Sequence, residues 1–137
     1  MKNVSKIMYT IGKVFNIIEI VGAAIMVALG ILIMANPTAI AEEAVKQGAS
    51  AIDTPAQAYA CGIFVLITSI IALVVAVVIF ALAKKATKDL KEEPKKVTAH
   101  TIMLVIGIFG DLFYFLGGLF GILSTSNLGS NEQKEKE

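Results

Sequence analysis

From Thr54 to Ala83 the chain carries no Asp, Glu, Lys, Arg or His. As a helix such a run reaches about 45 Å at 1.5 Å per residue, more than the roughly 30 Å hydrocarbon layer of a bilayer. A water-soluble domain of 137 residues is built instead from shorter, amphipathic segments. The apolar share of 56% is therefore less telling than its arrangement, with charges gathered between long uncharged stretches. The length allows one compact unit and is too short for two separate cores.

This pattern predicts an all-α, polytopic membrane protein with three transmembrane helices in a small bundle. The spans are expected at about 11–35, 56–83 and 99–123, together forming a domain over 1–124, with a disordered polar tail over 125–137. Ahead of the first span, Lys2, Ser5, Lys6, Thr10, Lys13 and Asn16 fall on one side of a helix, and Val4, Ile7, Met8, Ile11, Val14, Phe15 and Ile18 on the other. That separation suits an interfacial amphipathic helix and equally the first turns of one long span with snorkelling lysines. A competing reading takes the lysines, the apolar run from Ile20 to Met34 and Ala39-Ile40-Ala41 as a secretory signal cleaved near Ala41. In the connector, Asn36-Pro37 and Gly48 mark the start and stop of a short helix, and Thr54-Pro55 opens the second span. Fourteen Leu, Ile, Val or Phe residues between Ile102 and Leu123 favour insertion of the third by about 4 to 8 kcal/mol. One central Asp opposes it by about 2.5 to 3.5 kcal/mol.

All 12 basic residues are Lys. Three lie in the N-terminal arm and six in the 84–98 connector, against Lys46 in the 36–54 connector and Lys134 and Lys136 in the tail. The positive-inside bias places the N-terminus and the 84–98 connector in the cytoplasm of a cell membrane, and with three spans it places the 36–54 connector and the tail outside. The connector lysines can also meet anionic headgroups, although the topology signal explains them by itself. Abundant Ile and Lys fit an AT-rich bacterial genome.

A few polar groups inside the apolar stretches draw notice. Asp111 sits midway along the expected third span, where an ionisable group is costly and so a functional candidate. His100, Gly107, Gly110, Asp111, Tyr114, Gly117, Gly118 and Gly121 fall within one arc of about 120° on a continuous helix, a seam of small residues suited to close helix packing. Thr68 and Ser69 lie at a matching depth on the second span, so a hydroxyl from one of them, or from Tyr114, is expected to bond the Asp111 carboxyl. Gly12, Asn16, Glu19, Ala23 and Gly30 form a similar seam on the first span, and Glu19 is expected to meet His100, Lys84 or Lys85. Each group has a plain structural role as its alternative, an Asp that tightens packing or a His at the membrane edge.

The sequence holds no phosphate loop, no G-x-S-x-G elbow and no Cys/His metal spacing. A single Cys61 allows no internal disulfide. No cofactor, no metal and no enzymatic activity are expected, and a net charge of +1 offers no attraction to nucleic acid. What is left is a small membrane protein that works by helix–helix contact in the lipid bilayer, as an accessory subunit, assembly factor or immunity-type partner, or as a homo-oligomer. The alternatives are an oligomeric channel or transporter component with Asp111 on an ion or proton path, and a holin-like permeabiliser.

Overall fold

A computed structural model describes residues 1–134, with side chains through residue 128. The described residues form helices and no strand: α1 (Lys2–Ala35), α2 (Pro37–Lys46), α3 (Pro55–Glu92), α4 (Thr98–Phe109) and α5 (Leu112–Lys134). The N-terminal stretch is continuous with α1, so no separate interfacial helix precedes it. In α2, Pro37 takes the first position, where its missing N–H is no loss. Gly48 follows the helix end at φ 78°, a left-handed conformation that glycine adopts without strain. Ala41 is buried and lies inside α2.

At the start of α3 the Thr54 hydroxyl accepts from Gln57 N at 3.3 Å, while Gln57 Oε1 accepts from Thr54 N at 3.1 Å and Asp53 N at 3.0 Å. This is a reciprocal capping box. Where the sequence suggested a connector from Lys84, α3 continues to Glu92. Lys, Glu, Ala and Leu there are good helix formers, Lys88 pairs with Glu92 at 3.5 Å one turn on, and Pro94 ends the run. Likewise α5 runs on through Lys134, past the Ser124 boundary expected for the ordered part.

The main correction concerns 99–123. The stretch expected as one span is two helices, α4 and α5, separated at Gly110–Asp111 and packed against each other. With 12 residues, α4 is about 18 Å long and too short to cross about 30 Å of hydrocarbon. Two of the described helices, α1 and α3, are long and apolar enough to cross a membrane.

Packing divides the chain into two compact units, Met1–Ile17 with Val77–Glu137, and Ile18–Ala76. In the first, α1, α3, α4 and α5 all contribute to a core of Tyr9, Ala83, Ala86, Leu90, Ala99, Met103 and Tyr114. In the second, α1 and α3 run antiparallel. A Cβ on Gly30 would lie 2.9 Å from the Leu66 backbone nitrogen, and one on Gly62 would lie 2.7 Å from Met34 Cγ. Only 6% of the most apolar stretch of α1 and 11% of that of α3 is buried, which separates them from the core helices of a soluble protein.

Candidate functional site

The first unit contains a set of buried polar residues that the sequence reading only partly anticipated. On α1, Ser5, Tyr9, Gly12 and Asn16 recur every three or four residues and so share a helix face. All four are buried, whereas Val14, Phe15 and Ile18 on other faces are exposed. Facing this stripe are α4 and α5. Tyr9 packs its ring on Gly117, where an added Cβ would lie 2.6 Å from Cδ1, and Tyr114 packs its ring on Gly12, where an added Cβ would lie 2.6 Å from Cε1. Each helix supplies the glycine on which the other's tyrosine rests.

Hydrogen bonds connect this packing. Ser5 Oγ donates to the Gly117 carbonyl at 2.7 Å. Tyr9 Oη and His100 Nδ1 are 2.8 Å apart, with the two rings stacked at 5.7 Å. Tyr114 Oη donates to Asn16 Oδ1 at 3.3 Å. Phe15 and Phe113 stack at 5.3 Å beside this ladder. Buried polar groups are tolerated because they find partners, and bonds that link distant parts of the chain fix which faces meet.

The glycines expected on one helix face are divided between α4 and α5. Gly117 meets α1 through the Tyr9 ring, while Gly107, Gly118 and Gly121 meet atoms across the α4–α5 contact. Gly107 faces the Phe115 backbone, Gly118 faces His100 O and Leu104 N at 2.6 Å from where a Cβ would stand, and Gly121 faces the His100 ring at 2.6 Å. Gly110 ends α4 and has open space around it.

Asp111 stands at the turn between α4 and α5. Its Oδ1 accepts from Phe113 N at 2.8 Å and Tyr114 N at 3.3 Å, which makes it the N-cap of α5 and satisfies two amides otherwise without helical partners. The expected hydroxyl bonds to its carboxyl are replaced. Thr68 Oγ1 donates to Phe64 O at 2.8 Å and Ser69 Oγ to Val65 O, the usual return of a helical hydroxyl to its own backbone four residues earlier. Tyr114 reaches Asp111 through its backbone amide, its hydroxyl being bonded to Asn16. His100 is fully enclosed, not at an open edge, and its partner is Tyr9 instead of Glu19. Glu19 belongs to the second unit, with its side chain exposed.

Ser5, Tyr9 and Asp89 escaped notice as site residues. For Ser5 and Tyr9 the signal was present, since their spacing with Gly12 and Asn16 follows a helix face. Asp89 stands among the lysines of the 84–98 stretch, where nothing in the sequence sets it apart. It is buried on α3, and its Oδ2 has no hydrogen-bond partner among the described residues. No group of three or more His, Cys, Asp or Glu suited to a metal ion occurs among the described residues.

The chain matches no family model, no curated protein and no solved structure.

Proposed function

We propose that this chain is a small integral membrane protein, non-enzymatic, that acts through helix–helix contact with a membrane partner or a second copy. The observation that carries the reading is an inside-out distribution of polarity. Ser5, Tyr9, Asn16 and His100 are enclosed and bonded, while Phe64, Ile71, Phe109 and Leu112 are exposed. Water selects the reverse arrangement; hydrocarbon selects this one.

In this reading α1 and α3 cross the bilayer, and α4 and α5 enter from the lysine-rich side and return to it. Phe109, 86% exposed, and Leu112, 64% exposed, flank the turn and suit a tip dipped into lipid. The end of α5 then lies on the same side as the N-terminus, and ten of the eleven lysines up to Lys134 share that side with only Lys46 across from them. Such a bias supports a cytoplasmic N-terminus more strongly than the three-span arrangement does. The ion-path alternative rested on a carboxyl midway along a continuous third span, and Asp111 caps a helix instead.

The partner reading is tested by affinity capture of the full chain from native membranes in mild detergent. A stoichiometric membrane-protein partner, or a defined homo-oligomer, is the expected result. A monomer that brings down nothing, and that carries ion flux when reconstituted in liposomes, contradicts it.

A further inference from the structure

The lysine-rich end of α3 forms a cleft with α1. Its volume is about 520 Å³, and it is lined by Lys13 from α1 and by Ala81, Lys84, Lys85, Thr87, Lys88, Lys91 and Glu92 from α3. The α3 residues recur at helical spacing, so their side chains converge on one stripe. Lys13 is half-buried, and the positive charges of Lys84 and Lys91 act on it. Of the cleft lysines only Lys88 has an ion-pair partner among the described residues, Glu92 at 3.5 Å. Lys13, Lys84, Lys85 and Lys91 make no ion pair among the described residues, and Glu92, already paired with Lys88, is the one carboxylate among the lining residues, so the cleft carries a net positive charge. A cluster of like charges around a cavity calls for an anion.

The position of the cleft identifies the anion. The uncharged run of α3 ends at Ala83, immediately before Lys84 and Lys85, and Val77 and Val78 just before it are exposed. A ligand held by the lysines has an apolar helix face adjoining it. We propose that this cleft binds the phosphate headgroup of an anionic phospholipid, with the acyl chains lying along the exposed apolar face of α3. The inference rests on the membrane reading above. Not all lysines at this end are equivalent: Lys96 Nζ is 2.8 Å from Glu93 Oε2, a contact that holds the Glu93 carboxyl below its usual range and leaves Lys96 compensated.

The full chain, purified in mild detergent, is mixed with phosphatidylglycerol or phosphatidylcholine and examined by native mass spectrometry. The cleft triple variant Lys13→Gln/Lys84→Gln/Lys91→Gln is compared with the equal-charge control Lys6→Gln/Lys95→Gln/Lys96→Gln. Each headgroup-facing lysine contributes up to about fivefold, so the cleft variant is expected to lose at least about tenfold in phosphatidylglycerol retention. The control stays within about twofold of the parent. The charge-keeping variant Lys13→Arg/Lys84→Arg/Lys91→Arg retains binding, which separates charge from misfolding. Equal losses in the two Gln triples, no preference of the parent for phosphatidylglycerol over phosphatidylcholine, or displacement of the lipid by inorganic phosphate each overturns the proposal. Carbonate extraction of the same membranes separates the two readings: protein that stays embedded while the lipid test fails sinks the lipid site alone, and protein that washes off sinks the membrane reading too.

Discussion

Gly118 and Gly22 are both helical glycines, and what surrounds them differs completely. A Cβ at 118 would stand 2.6 Å from two backbone atoms of α4, which cannot rotate aside, whereas nothing lies within 4 Å of one at 22. Gly118→Ala is therefore expected to destabilise the fold by about 1 to 3 kcal/mol through overpacking. Gly22→Ala should be neutral or stabilising by up to about 1 kcal/mol through helix propensity. Thermal unfolding of the two variants in detergent checks this, and equal melting temperatures contradict the assigned packing. Asp111 is open to a similar comparison. As a cap, its replacement by Ala costs about 0.5 to 2 kcal/mol, while Asn and Ser, which also accept from backbone amides, preserve most of the stability. A carboxyl needed for its charge responds differently, with Asn failing as badly as Ala. Tyr9→Phe keeps the ring on Gly117 and removes the bond to His100; an unpaired imidazole nitrogen in a closed site makes a loss of about 1 to 3 kcal/mol the expected outcome, measured by chemical denaturation.

At the scale of elements, legibility depended on whether the governing interaction was local. The starts of α2 and α3 were readable because Asn36-Pro37 and Thr54-Pro55 act on the backbone beside them. The division of 99–123 was also written locally, in Gly110-Asp111, a helix stop followed by an N-cap residue. Hydropathy over the whole stretch masks such a signal, because fourteen large apolar residues favour transfer out of water whether they form one helix or two. Hydropathy also treats an Asp in an apolar run as a membrane-buried charge, although a cap needs that residue just as much. The extension of α3 to Glu92 followed from helix propensity and one lysine–glutamate pair, and was hidden by reading every charge cluster as a connector. The Tyr9–His100 and Ser5–Gly117 bonds join residues 91 and 112 apart in sequence, and no local pattern encodes such pairings.

For the molecule as a whole, the proposed arrangement turns on the number of times the chain crosses the bilayer. Two crossings and a returning α4–α5 pair place both ends on one side; three crossings place them on opposite sides. Single cysteines at Asn3, Ser50 and Ser126, all exposed positions, introduced into a Cys61→Ser background, can be tested with a membrane-impermeant maleimide in intact cells and in inverted vesicles. Cysteines at 3 and 126 are expected to label together in inverted vesicles and to be protected in intact cells, with the cysteine at 50 showing the reverse. If the cysteine at 126 labels with the one at 50 instead, 99–123 crosses the membrane and the returning helix pair is wrong.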